Sequence, residues 1–171
     1  QPDLIIETGV ARGGSLIFYS SILHLLDLAN EKMGNDTQAK SEVWGIDIRV
    51  HSENKEAIVS HPFADKIRIF EGSSTDPSLA KVVAEEARGF SKVLVCLDSD
   101  HAADHVLMEL EMYAPLVSVG SYCVVFDSTI EDMPAELFED REWGPGNSPR
   151  SAATRYLEKN SGFTVDRDID C

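Results

Sequence analysis

Acidic residues stand at the ends of most of the short apolar runs in this sequence. The first run ends at Glu7, the second closes on Asp47, and later runs end at Asp98 and Asp127. Carboxylates that meet in one cleft favour a cation, either a divalent metal ion or the positively charged end of an organic ligand. This placement exceeds what solubility requires and predicts a polar, acidic site at one edge of the fold.

The stretch LIIETGVARGGS, residues 4–15, passes from an apolar run through an acid into glycines. The spacing that begins at Gly9 is G-x-x-x-G-G, so the dinucleotide fingerprint fails at its second glycine, and a phosphate-binding Walker loop would need a lysine before Ser15. The amides at the helix start would still suit an anion, and a tight turn capped by Ser15 is the alternative without a ligand. Glu7 opposes a pyrophosphate and favours a cofactor with a cationic end.

Two further strand ends point to an adenosine-containing ligand. An acid at the end of the second strand, here Asp47, typically accepts the ribose hydroxyls of such a cofactor, although strand-end aspartates are also common turn residues. The EGSS stretch at residues 71–74 is compatible with contacts to an adenine edge.

The fourth and fifth apolar runs carry the candidate metal and catalytic groups. Asp98, Asp100 and Asp127 are expected to converge, and such carboxylates suit a hard cation such as Mg²⁺. His101 and His105 have i, i+4 spacing but lack the glutamate of a zinc hydrolase motif. A polar contact of His101 to cofactor or substrate is more plausible than a zinc site, and a helix-capping role is equally plausible.

The elements that must position these groups alternate between strand and helix. The predicted strands cover residues 4–7, 43–48, 66–72, 92–100, 122–127 and 162–166. The first predicted helix begins at Ser15, and the others cover residues 53–60, 77–88, 104–117 and 150–159. This alternation predicts an α/β fold with a doubly wound, mostly parallel sheet and helices on both faces. Ligands of such sheets bind at the carboxyl ends of the strands, where the acids lie.

Composition predicts one globular domain over residues 1–171. The net charge of −15 argues against nucleic acid and membrane surfaces as partners, and the sequence shows neither a membrane helix nor a signal peptide. Cys96 and Cys123 lie in apolar runs and, with Cys171, have no metal or redox spacing. Core thiols in a reducing cytoplasm are the preferred interpretation. The oligomeric state is not indicated.

Five stretches, taken in order, resemble the cephalosporin hydroxylase family of S-adenosylmethionine-dependent methyltransferases and, more distantly, the metal-dependent catechol-type O-methyltransferases. They are IIETGVARGGS (5–15), GIDI (45–48), EGSS (71–74), LDSDH (97–101) and GPGNSPRSA (144–152). The resemblance covers residues 2–166. It implies a Rossmann-like methyltransferase fold, here without its last strand, and methyl transfer to a hydroxyl of a small molecule, either a sugar or a natural product.

The same resemblance implies roles for individual residues. The methionine part of the cofactor would be held by the first turn and the ribose by the acid of the second strand. The third strand end would border the adenine, and the acid of the fourth would help to hold the amino group. In that order the residues are Glu7, Gly9, Gly13 and Ser15; Asp47; Gly72, Ser73 and Ser74; and Asp98. Asp100 and Asp127 would hold a magnesium ion, and a substrate hydroxyl would lie beside them.

Two positions depart from the pattern of these families. Phe126 stands where a second metal-binding acid is expected, and Ala103 occupies the slot of the catalytic lysine. Asp104 and His105 are the nearest substitutes for the base, so Asp100, His101 and His105 form the candidate catalytic set. The departures favour an alternative, a methyltransferase fold that only binds ligands, whereas the intact cofactor pattern favours an enzyme. The glycine spacing disfavours a nicotinamide-dependent oxidoreductase.

Overall fold

The computed structural model of the protein describes residues 1–34 and 41–169. Within these residues, five strands and five helices alternate, with four short 3₁₀ turns between them. The strands are β1 (Leu4–Thr8), β2 (Glu42–Asp47), β3 (Ile67–Glu71), β4 (Val93–Leu97) and β5 (Cys123–Val125), and the helices are α1 (Gly14–Lys32), α2 (Ser52–Val59), α3 (Pro77–Ala87), α4 (Ala103–Tyr113) and α5 (Pro149–Leu157).

The strands form one parallel sheet in the order β3-β2-β1-β4-β5. From β1 the chain runs outward to β3 on one side and returns to β4 and β5 on the other, so the winding reverses between β1 and β4. Loops that leave the carboxyl ends of these two strands diverge and open a crevice. The predicted doubly wound α/β fold is confirmed, and its crevice lies beside Glu7 and Asp98.

Two apolar cores cover the two faces of the sheet. On one face the core contains buried residues of α1 and α2, such as Leu16 and Ile58, and on the other it contains residues of α3, α4 and α5, such as Val83 and Leu110. All five residues of β1 are buried. A central strand covered by helices on both faces reads as a continuous apolar run, which is why residues 4–6 show no polar alternation.

Local signals set the helix starts. Asp76 caps α3 by accepting a hydrogen bond from the Ser78 amide at 2.8 Å, with Pro77 at the first helical position. Ser148 caps α5 in the same manner. α1 differs, because its cap is Gly13 in the left-handed conformation and no side chain caps it. The predicted capping role of Ser15 is therefore wrong.

The last third of the chain departs from the predicted elements. β5 comprises only residues 123–125 and is half-buried, because it is the edge strand with a single neighbour. The predicted strand at residues 162–166 is wrong: this segment is a turn followed by irregular backbone. Its apolar residue Phe163 packs on Tyr156 of α5, with ring centroids 6.1 Å apart. Contact with a helix, rather than strand pairing, satisfies the short apolar pattern there.

Two cysteines pack in the apolar cores as free thiols, as predicted. Cys96 is a buried free thiol and Cys123 is a half-buried one, while Cys171 and the predicted loop at residues 35–40 lie outside the described residues. Among residues 1–34 and 41–169, none of the helices combines the length and the apolarity that crossing a membrane requires.

Candidate functional site

The turn between β1 and α1 forms the floor of the crevice. Gly9 and Gly13 both have positive φ, 88° and 78°, which favours glycine. A Cβ atom on Gly9 would lie 2.0 Å from the carbonyl oxygen of Asp98, and one on Gly13 would lie 2.3 Å from Cδ1 of Ile58. The Gly13 amide donates to the Val10 carbonyl at 2.7 Å. This hydrogen bond stabilises the turn, so the Gly13 amide is not free to bind an anion.

Asp47 holds this turn through its side chain. Its Oδ2 accepts hydrogen bonds from the amides of Val10 at 2.8 Å and Ala11 at 3.1 Å. Its Oδ1 accepts from the Arg49 amide at 2.8 Å. Charged acceptors make strong hydrogen bonds to backbone amides, so the carboxylate predicted to bind a ribose also anchors the loop beside it.

Glu7 is a buried carboxyl group beneath the turn, with 1% of its surface exposed. Ser15 donates a 2.6 Å hydrogen bond to its Oε2. Burial raises the pKa of Glu7 to about 7, the Ser15 hydrogen bond opposes the rise, and the nearby charge of Asp98 adds to it. The ion pairs of the described residues include no cation on Glu7. Among the described contacts, the Ser15 hydrogen bond therefore offsets only part of the cost of a buried negative charge.

Asp98 extends the negative charge toward the end of β5. Burial raises the pKa of Asp98, the charge of Asp127 raises it further, and His101 lowers it. Asp127 itself is in the left-handed conformation with φ of 54°, and its Oδ2 lies 3.3 Å from Nε2 of His101. The charges of Asp98 and Asp127 therefore act on one another across the two strand ends, and His101 lies beside Asp127.

His101 is also the contact point of the long loop that follows β5. The Trp143 ring meets it edge-on, with centroids 4.9 Å apart, and packs on Phe138 at 5.3 Å. Asn147 of the same loop accepts a hydrogen bond from the Ala103 amide at 2.9 Å. These contacts hold the loop over the crevice and make Trp143 one of its walls.

Asp100 is not placed as a metal ligand beside Asp98 and Asp127. It is exposed, and its Oδ1 accepts a 2.8 Å hydrogen bond from the Ala102 amide just before α4. Phe126, in place of the expected acid, packs against the apolar core on the α1 side. Across residues 1–34 and 41–169 there is no group of three or more His, Cys, Asp or Glu side chains that could hold a metal ion. The donor set does not fit a preformed magnesium or zinc site.

The end of β3, where residues 71–74 were predicted to border an adenine, lies beside the end of β2. The Gly72 amide donates to the Asp47 carbonyl at 2.8 Å. Ser73 shares a 2.9 Å hydrogen bond with the Thr75 hydroxyl, whereas Ser74 is buried and turns toward α4. The two serines therefore face different partners.

His105 belongs to a separate, partly buried cluster around α4. Its Nε2 lies 3.2 Å from the hydroxyl oxygens of both Ser74 and Ser99 and 3.5 Å from Oε1 of Glu109. The hydrogen bond to Glu109 raises the pKa of His105, burial opposes the rise, and the charges of Glu109 and Asp100 add to it. The two histidines therefore do not form one site.

Glu109 is the residue that the sequence analysis missed. It is fully buried, accepts a 2.6 Å hydrogen bond from the Ser99 hydroxyl, and has no hydrogen-bond partner for Oε2 among the described residues. A buried polar atom left unpaired costs about 1–3 kcal/mol. The available signal was an acid at i+4 from His105, placed among apolar helix positions. Asp104, the other candidate base, is instead paired with Arg155 at 2.7 Å on the exposed side of α4.

A family model described as rhamnosyl O-methyltransferase/CmcI matches residues 1–171. Proteins named rhamnosyl O-methyltransferase from Mycobacterium bovis (strain BCG / Pasteur 1173P2) and M. tuberculosis (strain ATCC 25618 / H37Rv) are each 33% identical over 135 residues, 78% of this chain and 49% of theirs. One from M. leprae (strain TN) is 27% identical over 176 residues, 96% of this chain and 68% of its own. The chain thus spans about half the length of the first relatives.

Among solved structures, the MycE methyltransferase from the mycinamycin biosynthetic pathway, in complex with Mg, SAH and mycinamycin VI, aligns with a TM-score of 0.49 and 20% identity. The alignment covers 91% of this chain and 37% of that one.

Proposed function

The chain belongs to the rhamnosyl O-methyltransferase/CmcI family, and on that premise we propose that it transfers a methyl group from S-adenosylmethionine to a hydroxyl of a sugar or another small natural product. Its relatives named rhamnosyl O-methyltransferase support a sugar acceptor. Within this family we propose the cephalosporin hydroxylase group as the finer assignment, with residues 1–171 as one cofactor-binding domain.

The observation that carries the proposal is the uncompensated negative charge of the crevice. Glu7 and Asp98 are carboxyl groups whose pKa values are raised by burial, and neither has an ion-pair partner among those of the described residues. S-adenosylmethionine carries a sulfonium and an ammonium group. Such a ligand would supply the missing positive charge, whereas a dinucleotide would add negative charge.

The cofactor site that we propose follows the strand ends. Glu7, Gly9, Gly13 and Ser15 would hold the amino-acid end, Asp47 the ribose, Gly72, Ser73 and Ser74 the adenine side, and Asp98 the amino group. Asp47 has a second task in this scheme, because the same carboxylate anchors the turn. Free thiols at Cys96 and Cys123 support the cytoplasm as the proposed location.

In the reaction that we propose, the acceptor hydroxyl oxygen attacks the methyl carbon in line with the sulfur. The new oxygen–carbon bond forms as the carbon–sulfur bond breaks, the sulfur keeps the electron pair, and the hydroxyl proton passes to a base. The protein's contribution is chiefly to hold the two reactants in this alignment. The positively charged sulfonium thereby becomes the neutral thioether of S-adenosylhomocysteine.

Of the three candidate catalytic side chains, His101 is our choice for contact with the acceptor. It is 22% exposed, lies 3.3 Å from Asp127 and touches the Trp143 wall. Asp100 accepts a hydrogen bond from the Ala102 amide, and His105 contacts the hydroxyls of Ser74 and Ser99. Magnesium at Asp100 and Asp127 stays a prediction, and no step of the scheme depends on it.

Calorimetry with S-adenosylmethionine and S-adenosylhomocysteine, followed by a methyl-transfer assay on rhamnose-containing acceptors, tests the proposal. We expect binding of both nucleosides and transfer to a sugar hydroxyl. Absence of binding would refute the cofactor assignment. Binding without transfer to any hydroxylated acceptor would support the alternative, a ligand-binding module. Phe126 and Ala103, which replace an expected metal ligand and the catalytic lysine, favour that alternative.

A further inference from the structure

A partly buried polar cluster around α4 contains side chains to which the scheme above gives no task. It comprises Ser74, Ser99, His105, Glu109 and Tyr113, which we call the α4 cluster. Ser74 follows β3 and Ser99 follows β4, and the sheet order places β2 and β1 between these strands. The cluster therefore joins two loops that the sheet itself keeps apart.

One histidine nitrogen makes the connection. Nε2 of His105 lies 3.2 Å from the hydroxyl oxygen of Ser74 and 3.2 Å from that of Ser99. Tyr113 strengthens the β3 side, because its hydroxyl donates to the Ser74 carbonyl at 2.7 Å. Both loops are thus attached to the same helix by side-chain hydrogen bonds.

The contacts determine where the imidazole proton lies. Ser99 donates its hydroxyl hydrogen to Oε1 of Glu109 at 2.6 Å. A serine hydroxyl has one hydrogen, so Ser99 can only accept at its second contact, the one with Nε2. This arrangement places a hydrogen on Nε2 of His105, shared between the hydroxyl oxygens of Ser99 and Ser74.

Glu109 lies beside the same imidazole nitrogen, with Oε1 3.5 Å from Nε2 of His105. Its side chain is fully buried, and the only ion pair that it makes within the described part of the chain is with His105. Its Oε2 has no partner there, so Glu109 contacts both Ser99 and His105 through the one oxygen Oε1.

We propose that His105 and Glu109 are positioning residues of the cofactor site, which fix the distance between the loops after β3 and β4. This inference rests on the proposed function, in which Ser74 and Asp98 border the adenosine from these two loops. Glu109 holds the hydrogen-bearing imidazole, and the imidazole holds both hydroxyls. Without the Nε2 hydrogen, the two loops lose their shared donor.

Variants of His105 test the proposal through the chemistry that replaces the ring. A glutamine can place an amide N–H donor near the position of Nε2, whereas a leucine has no donor. For His105→Leu we expect the Kd for S-adenosylhomocysteine and the KM for S-adenosylmethionine to rise by about tenfold, the equivalent of one lost hydrogen bond. At saturation kcat should change by less than about threefold, since the acceptor side is untouched. His105→Gln should retain both constants within about threefold.

His51→Leu, a change of an exposed histidine before α2, is the matched control, and thermal melts of each variant establish that it folds. Ring ¹⁵N spectra of the wild-type protein supply a readout that needs no variant, and they should show a hydrogen on Nε2 of His105. A bare Nε2, or His105→Leu with wild-type affinity for S-adenosylhomocysteine, would overturn the inference. Failure of the wild-type protein to bind either nucleoside would instead refute the proposed function, and the spectra would still decide where the proton lies.

Discussion

Gly9 and Asp98 approach so closely that a Cβ atom on Gly9 would stand 2.0 Å from the Asp98 carbonyl oxygen and 2.9 Å from Cα of Ser99. The obstructing atoms are backbone, which cannot swing aside as a side chain could. The turn after β1 and the end of β4 therefore form one packed unit, and the distance between the two sides of the crevice depends on the absence of a single carbon atom.

Gly9→Ala should therefore destabilise the protein strongly. Backbone overlap adds to the cost of a positive φ for alanine, so we expect a loss of at least about 2 kcal/mol in the free energy of unfolding. Urea denaturation measures it. Gly14→Ala is the matched control, because a Cβ there meets nothing within 4 Å and alanine favours a helix. Equal stability of the two variants would contradict the packing described.

Glu7→Gln should change the pH dependence of stability. The pKa of Glu7 is raised from 4.5 to about 7 in the folded protein, so between these values the unfolded chain loses its proton first and the free energy of unfolding falls as pH rises. Above pH 7 the loss is complete, on the order of 3 kcal/mol. Glutamine never ionises. The variant should match the wild-type protein at pH 4 and be the more stable one at pH 8.

Urea unfolding at pH 4, 6 and 8 checks this sign, with Glu53→Gln at an exposed helix position as control. A Glu7→Gln protein that is less stable than wild type at pH 8 would mean that the buried carboxylate is compensated in the folded state.

Asp47→Asn should weaken the protein even without any cofactor. Asparagine keeps one side-chain oxygen, so it cannot accept from both the Val10–Ala11 amides and the Arg49 amide. We expect a loss of about 1–3 kcal/mol in the free energy of unfolding. Asp140→Asn, at an exposed position, is the control. An unchanged stability with a reduced affinity for S-adenosylmethionine would assign Asp47 to the ribose alone.

Trp143→Ala should separate the acceptor from the cofactor. The ring packs on His101 and Phe138, neither of which is assigned to the cofactor. We expect the KM for the sugar acceptor to rise by about tenfold, consistent with the loss of a large aromatic contact, while the Kd for S-adenosylhomocysteine stays within about twofold. Phe18→Ala, on the exposed side of α1, is the aromatic control. Parallel losses of both affinities would place Trp143 elsewhere in the mechanism.

Chelation tests the magnesium prediction. Asp100 and Asp127 lack a third ligating side chain among the described residues, so treatment with EDTA should lower methyl transfer by less than about threefold, whereas a reaction that depends on metal activation of the hydroxyl loses most of its rate. Restoration of a large lost activity by added Mg²⁺ would show that water and substrate complete a site that the protein leaves open.

The strand ends were predictable because their signals are local. Each of these signals occupies only a few consecutive residues: an apolar run, the acid that ends it, or the glycines after β1. Together they predicted β1 to β4 and the acids that border the crevice. The contacts of Asp47 and Glu109 were not predictable, since each depends on partners from other segments, such as the Val10 amide and the Ser99 hydroxyl. The strand expected at residues 162–166 failed for the same reason: Phe163 found a helix to pack on.

The hydrogen bonds that the turn after β1 donates to Asp47 have a kinetic consequence. Because this loop is ordered before a ligand arrives, its conformational entropy is lost during folding and not on binding. Association should then follow a single exponential whose rate rises linearly with ligand concentration, without the plateau that a slow loop rearrangement imposes. The chain's charge of −15 would also draw a cationic ligand inward, and this attraction should fade as salt is added.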